Sequence, residues 1–577
     1  MTRSRNGLLP LAAALVAAIL AGLVAPGEGY VLNILMQAAT YAVSVLGIVI
    51  VLGYCGQISL AQAAFFGIGA YGVAVGTTSF GLPFAAAIVV GIVIATLFGA
   101  ILGLASLRLG GHYLAMVTIS FQVILTLVLT NWIGLTRGPD GVANIPRPAG
   151  LAHGPAYLAL CLATLVLCAW ATWRLRGTRL GRAMFAVRDN EIAAGTTGVD
   201  TFRTKVVAFA ISAFLGSLGG GLFAGAFAYI SPDQFSFNES VVMLTMALLG
   251  GVQSPFGALL GTLLLVILPE WLRFLKQVYL AVYGGAVILI MVFLPDGIWG
   301  WLMARLRRPR PAPAAAAPPL PLLSRTGAPT EDIIFDIKGL AKHFGGLRAV
   351  DGVDIAIRRG TVHALIGPNG SGKSTLINVV TGLYRATAGQ VLLQGRDITG
   401  LLPHTRAGLG MARTFQNIRL FRGLTVLENA MVGAERPGAD LQDHLAVEAR
   451  ALAALDVVGL RADASRFVTE LSYGHQRSVE IARALAGEPA ILLLDEPAAG
   501  LNTTEKAELG RLLRRLKGHG LTILIVDHDM ALVEQVADRI TVLNFGRRIA
   551  DGPTRETLAN PDVVAAYLGE PRQDEAA

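Results

Sequence analysis

The chain has 577 residues, of which 54% are hydrophobic and 15% charged, with a formal net charge of +8. It is too long for one domain and too apolar for an ordinary soluble protein. The arginines gather at the ends of apolar runs, where the lysine and arginine bias of cytoplasmic loops accounts for them, so the positive charge does not require nucleic acid.

The apolar excess is confined to Leu8 through about Leu294, and from Asp332 onward the composition is that of a soluble α/β domain. The expected domains are therefore a transmembrane region at 1–303, a linker at 304–331 and a soluble domain at 332–577. The expected fold class is a polytopic α-helical membrane domain followed by an α/β phosphate-loop domain. Cys55, Cys161 and Cys168 sit in apolar segments without metal-type spacing, which argues against a disulfide framework or a zinc site.

Arg3 and Arg5 ahead of Leu8–Val24 have the form of a signal peptide, but no small-x-small cleavage site comes after them, so an uncleaved first span with a cytoplasmic N-terminus is expected. Apolar runs of spanning length fall at 8–25, 31–53, 58–79, 83–107, 113–134, 155–173, 206–229, 241–269 and 279–296. The segment Arg174–Lys205 is the most basic loop of this half and belongs in the cytoplasm, consistent with six crossings before it. Three further single crossings would leave the soluble half outside, away from ATP. Gly250, Gly251 and Pro255 interrupt the run 241–269, which predicts two half-helices or a re-entrant hairpin there; a cysteine near Lys276, labelled from outside, would test it. Gln57, Ser59, Gln62, Gln122 and Asn131 are polar groups within apolar runs, read first as helix–helix hydrogen-bonding residues.

In the basic loop, EIAAGTTG resembles the EAA-type coupling motif of ABC importer permeases, with Glu191, Ala193, Ala194 and Gly198 in the matching places. Together with GYCGQISLAQAAFFGIGAY, LTRGPDGVANIP, GRAMFAVRDNEIAA and VYGGAVILIMVFLPDGIWG, it makes residues 30–300 similar to the Liv-type permease of branched-chain amino acid ABC importers. Ala61 and Gln62 depart from the Gly and His that many members carry there, which bears on fine substrate specificity. Beyond Arg305, Arg307, Arg308 and Arg310, the Pro/Ala-rich stretch Pro311–Thr330 reads as a semi-extended tether, able to reach about 60 Å at roughly 3 Å per residue.

The soluble half opens with two alternating runs in Ile333–Ile357, expected to pair as strands. GPNGSGKST, Gly367–Thr375, then fits the phosphate-loop pattern between a short buried strand and a helix start. Gly367, Asn369, Gly370, Gly372, Lys373, Ser374 and Thr375 are the expected nucleotide-binding residues: backbone N–H groups cradle phosphates, Lys373 reaches the terminal ones, and Ser374 offers its hydroxyl to Mg²⁺. ILLLDEP is a buried strand ending in two acids beside that loop, placing Asp495 to hold Mg²⁺ and Glu496 to polarise the attacking water.

LSYGHQRSVEIARAL resembles the ABC signature, with Ser472 and Gly474 at its hydroxyl and glycine places and a helix N-terminus as a second anion site. The same resemblance implies that Phe344 stacks on adenine, that Gln416 contacts both Mg²⁺ and the coupling segment, and that His528 contacts the γ-phosphate. AAGLN occupies the D-loop place with Asn502 where Asp is commoner, and with RTFQNIRLF and NPDVVAAYLG it resembles the Liv-type ATP-binding subunit.

The resemblance implies half of an ABC importer in the bacterial cytoplasmic membrane, using ATP and Mg²⁺, with its ATPase domain in the cytoplasm. It implies partners as well: either a second permease with a separate ATPase or another copy of this chain, a periplasmic or lipid-anchored substrate-binding protein, and membrane lipid. Urea, short amides or aromatic acids are alternative substrates among similar permeases. An ABC exporter half lacks support because no long cytoplasmic helical extension is present, and intact Lys373, Asp495, Glu496 and His528 argue against a non-transporting regulator.

Overall fold

The computed structural model describes residues 29–105, 111–148, 150–271, short stretches within 284–306, 330–435 and 444–568. The expected first span at 8–25, Lys276, half of the run 279–296 and nearly all of the linker lie outside these residues. Contacts divide the chain into two compact units, Met1–Met184 with Phe202–Arg308 and Phe185–Thr201 with Pro309–Ala577.

In the first unit, α1 (Tyr30–Ile48) runs on as a π-helix over Val49–Tyr54. It is followed by α2 (Gln62–Thr78), α3 (Phe84–Ala105), α4 (His112–Asn131) and α5 (Gly154–Arg176). Then come α6 (Arg179–Thr196), which runs into the second unit, and α7 (Thr201–Phe227). Among the described residues, five helices are long and apolar enough to cross a membrane: Tyr30–Tyr54, α3, α4, α5 and α7. Strand β1 (Val142–Ala143) pairs antiparallel with β2 (Tyr229–Ile230).

The helix expected at 58–79 is shorter than its apolar run. The 17 residues of α2 rise about 26 Å, less than a hydrocarbon core of about 30 Å. The chain leaves helical geometry at Gly56, whose φ is 70°, and stays irregular to Ala61. Neighbouring side chains meet the backbone N–H groups this frees: Leu60 donates to Thr118 Oγ1 at 3.1 Å and Ala63 to Ser240 Oγ at 3.0 Å. Irregular backbone is tolerated at membrane depth only when protein satisfies it in this way.

Small residues let the central helices meet at backbone distance, as expected where apolar solvent gives no hydrophobic drive for association. A Cβ on Gly220 of α7 would lie 1.8 Å from the Phe66 carbonyl oxygen of α2. The outer helices α3 and α4 instead expose Val93, Leu97, Met116 and Ile124, the composition of a lipid-facing surface.

The break expected near Gly250 is present. Helix α8 (Phe237–Gly250) ends there, Gly251 takes φ 115°, and α9 (Pro255–Trp271) begins four residues later. A Cβ on Gly250 would sit 1.8 Å from the Gly257 carbonyl oxygen, so the two short helices touch main chain to main chain.

Of the polar residues singled out from sequence, Gln62 and Gln122 join different segments. Gln62 Nε2 donates to the Ser44 carbonyl at 2.7 Å and Oε1 accepts from Ser212 Oγ at 3.0 Å, tying α2 to α1 and α7. Gln122 donates to the Phe235 carbonyl at 2.7 Å and accepts from Ser240 Oγ at 3.0 Å. Among the described residues, the Gln57 and Asn131 side chains donate to carbonyls nearby in sequence, those of Cys55 and Leu127.

The second unit is built on two sheets. Strands β3 (Ile333–Phe344) and β4 (Leu347–Arg358) pair antiparallel as expected, and join β6 (Ala388–Leu393) and β7 (Arg396–Asp397) in the order β4-β3-β6-β7. The larger sheet also contains β5 (Val362–Ile366), β8 (Met411–Arg413), β9 (Ile491–Asp495), β10 (Thr522–Val526), β11 (Arg539–Asn544) and β12 (Arg547–Pro553), ordered β12-β11-β5-β10-β9-β8. Strands β5, β9 and β10 are buried at every residue, as parallel strands covered on both faces must be. Alternation divides their side chains between two cores, Ala364, Leu492 and Ile523 in one and Leu365, Leu493 and Leu524 in the other. In the parallel register Val526 lies beside both Asp495 and Leu365, so the loops that leave β5, β9 and β10 emerge along one sheet edge.

Candidate functional site

The loop after β5 turns sharply and opens α10 (Lys373–Val380) at Gly372, whose φ is 101°. A Cβ there would lie 2.4 Å from the Ala349 carbonyl oxygen, so glycine is required for both conformation and space. Asn369 and Gly370 are exposed at the loop's tip, and Ser374 is exposed and Thr375 half-buried in the first helical turn. Lys373 Nζ lies over the loop, donating to the carbonyls of Gly367 at 2.7 Å and Pro368 at 2.9 Å. Burial lowers its pKa, while Glu496 and Asp495 act in the opposite sense. Gly367 N–H donates to the Tyr567 hydroxyl at 2.7 Å, a contact from α14 (Pro561–Leu568) that the motif gave no sign of.

Asp495 closes β9 and is paired with Arg413 at 2.9 Å, their side chains 7% and 4% exposed. Arg413 also donates to Asn378 Oδ1 and Thr381 Oγ1 at 2.7 and 3.0 Å, so one guanidinium joins the end of β8 to α10 and the acid. Glu496 comes next at φ 45°, a conformation uncommon outside glycine, fixed by its N–H donating to the Val526 carbonyl at 2.7 Å. Gln416 Nε2 donates to Glu496 Oε2 at 2.8 Å, and His528 Nδ1 lies 3.7 Å from the same oxygen. The phosphate loop, Asp495, Glu496, Gln416 and His528 thus share the sheet edge, and the loop that carries Gln416 runs on to α11 (Val426–Ala434).

Phe344 ends β3, half exposed, with Tyr384 edge-on at 5.5 Å between ring centroids. Ser472 caps α12 (Tyr473–Ala486) by accepting from the His475 N–H at 3.4 Å, and a Cβ on Gly474 would meet Glu505 Oε1 at 2.2 Å. Glu505 belongs to α13 (Thr503–Gly518), where Asn502 and Glu505 form a reciprocal capping box. That capping explains Asn at the place where Asp is commoner, since both side chains accept the same N–H.

The sequence singled out Glu191, Ala193, Ala194 and Gly198 as the expected coupling segment. Helix α6 breaks at Asn190, with φ −160° and ψ 98°, and Asn190 Oδ1 caps the following turn by accepting from the Ala193 N–H at 2.9 Å. Ala193 and Ala194 are fully buried, Glu191 is exposed, and Gly198 closes the turn at φ 100°. Residues just ahead of the motif make the bonds inside the second unit. Asp189 Oδ2 accepts from the Gly423 N–H at 2.6 Å, and Asn190 Oδ1 accepts from Arg419 at 3.2 Å. An Asn immediately before a helix-forming stretch was a readable cap; Asp189 left no local sign.

Residues 30–294 match the family described as the permease component of the branched-chain amino acid transport system, and residues 350–499 match the ABC transporter family. The chain is 42% identical over 251 residues to a high-affinity branched-chain amino acid transport ATP-binding protein, BraF, of Pseudomonas aeruginosa, spanning 98% of that protein and 41% of this chain. It is 43% identical over 248 residues to the corresponding protein LivG of Salmonella typhimurium, 97% of that protein and 41% of this chain. A nucleotide-free ATP-binding cassette of an ABC transporter aligns along its full length with 41% of this chain, at 34% identity and a TM-score of 0.39. The chain belongs to the ABC transporters of the branched-chain amino acid type, joining in one polypeptide a multi-pass permease component and a nucleotide-binding ATPase that hydrolyses ATP to drive transport and works with partner permease and ATPase subunits.

Proposed function

We propose that the chain is half of an importer that moves branched-chain amino acids across the bacterial cytoplasmic membrane, receiving them from a periplasmic or lipid-anchored binding protein. The observation that carries this reading is the loop Arg413–Gly423. Its Gln416 bonds the acid Glu496, while its Arg419 and Gly423 bond Asn190 and Asp189 of the coupling segment. One short loop therefore touches both the hydrolytic residues and the segment that carries motion to the permease.

In this mechanism the backbone N–H groups of Gly370–Thr375 hold the phosphates, and Lys373 exchanges a carbonyl of its own loop for phosphate oxygen. Phe344 offers a face to adenine. Ser374, Gln416 and Asp495 present a hydroxyl, an amide and a carboxylate, hard oxygen donors that suit Mg²⁺ with phosphate and water completing its shell. Mg²⁺, when bound, neutralises charge on the transferring phosphate. Glu496 accepts the proton of the attacking water, Gln416 holds Glu496 in place, and His528 contacts the γ-phosphate from the other side. Ser472 and Gly474, at the N-terminus of α12, serve the nucleotide of the opposing ATPase.

The test is reconstitution of the complex with the binding protein encoded beside this chain. Wild type takes up labelled leucine, isoleucine or valine with ATP, and Glu496→Gln binds ATP without turnover or uptake. A binding protein that holds no aliphatic amino acid overturns the substrate assignment, and undiminished turnover in Glu496→Gln overturns the assigned base.

A further inference from the structure

Helix α12 carries three charged side chains that are almost wholly inaccessible: Arg477 and Arg483 are each 1% exposed and Glu480 is 0% exposed. Glu480 lies between the two cations, 3.0 Å from Arg477 NH1 and 3.6 Å from Arg483 NH2. Burying three charges costs desolvation, and apolar residues of the same volume generally stabilise at least as well, so core cohesion does not account for them.

Outside the triad, its hydrogen bonds among the described residues go to main-chain groups of a single loop, and Arg483 also lies over the Phe421 ring, 4.7 Å from its centroid. Glu480 Oε1 accepts the N–H groups of Phe415 at 3.4 Å and Arg419 at 3.2 Å. Arg477 donates to the carbonyls of Phe415 at 2.6 Å and Gln416 at 2.7 Å, and Arg483 to that of Arg419 at 2.6 Å. Both donors and acceptors of residues 415–419 are therefore gripped by α12. The same loop sends Gln416 to Glu496, and Arg419 and Gly423 to Asn190 and Asp189.

We infer that Arg477, Glu480 and Arg483 form a clamp that makes the signature helix and the loop 415–419 one moving body, so that displacement of α12 reaches the coupling segment and Gln416 together. The inference rests on the coupling role proposed for residues 185–198. Glu480 is a positioning residue here: it touches neither nucleotide nor the reacting atoms, and it acts through the loop it holds. An apolar α12 would pack as well and slide past the loop; the charged one cannot move without it.

The test uses the assembled complex in lipid nanodiscs. Hydrogen exchange is followed at residues 185–198 with and without ATP, alongside ATP affinity and melting temperature. Glu480→Gln keeps the side-chain shape and one acceptor but loses the charge that holds both arginines. The combined variant Arg477→Met, Glu480→Leu, Arg483→Met removes the grip while refilling the volume. The expected result is ATP affinity within threefold of wild type in both, with the ATP-dependent exchange change at 185–198 reduced at least fivefold in the triple variant and at least twofold in Glu480→Gln. An ATP response that survives at full amplitude in both variants sinks the clamp alone. A wild-type segment blind to ATP sinks the coupling reading and the clamp with it. Loss of folding or of ATP binding in both variants assigns the triad to structure and also overturns the proposal.

Discussion

Arg413 is the place where stability and chemistry of the ATPase unit meet, and its removal has a calculable consequence. The guanidinium is 2.9 Å from Asp495 with both side chains almost inaccessible, and it also satisfies Asn378 Oδ1 and Thr381 Oγ1. At an effective dielectric of about 20 the pair alone is worth roughly 6 kcal/mol, part of which desolvation offsets. Arg413→Met leaves the acid and two acceptors without their donor, and breaking a buried pair from one side costs about 3–5 kcal/mol. For a domain of this size that is a fall of roughly 6–20 °C in melting temperature. Calorimetry of the solubilised full chain reads it directly, with the ATPase transition identified by its upward shift on adding ATP. Asp495→Asn alone and the double variant complete a cycle, in which the double variant should lose at least about 2 kcal/mol less than the sum of the singles. A shift below about 2 °C in Arg413→Met, or strict additivity in the cycle, refutes the reasoning.

His363 is buried in β5 with Nε2 2.8 Å from Thr541 Oγ1, and burial holds its pKa down to about 4. Below about pH 6.5 the unfolded chain takes up a proton that the folded one refuses, so stability is full above pH 6.5 and falls by about 3 kcal/mol as pH drops to 4. His363→Gln should flatten the melting temperature of the ATPase unit across that window, and an unchanged slope tells against the assignment. Asp189→Ala removes a charge-assisted bond of 2.6 Å to Gly423, worth about 1.5–3 kcal/mol, or roughly 10- to 150-fold in an equilibrium. Transport in proteoliposomes should fall at least tenfold while ATP affinity holds; equal losses of both would place Asp189 in the fold of the ATPase instead.

What the sequence made legible was local. The phosphate loop, the strand ending in Asp495 and the break at Gly250 and Pro255 each announce themselves within a few residues, because backbone geometry there demands glycine, proline or a run of buried aliphatics. Gln416 is singled out by its sequence context, and the structure sets its amide on Glu496, 80 positions away. What was not legible is contact across the chain. Nothing around Arg413 names Asp495, nothing around Tyr567 names Gly367, and Glu480 sits in an ordinary amphipathic helix whose inward face happens to be charged. The shortening of α2 was missed for a related reason: an apolar run reads as continuous helix, while the side chains that permit the irregular stretch before it, Thr118 and Ser240, come from elsewhere in the fold.

The placement of residues 185–201 bears on how such a fused chain is assembled. Asp189 and Asn190 bond to Gly423 and Arg419 of the ATPase sequence to which their own permease is tethered. On the shared-site reading proposed above, Ser472 and Gly474, at the N-terminus of α12, would serve a nucleotide held by the opposing subunit. The buried charges of α12 link these two proposed roles, because Ser472 caps α12 while Arg477, Glu480 and Arg483 of the same helix grip the loop that bonds Asp189 and Asn190.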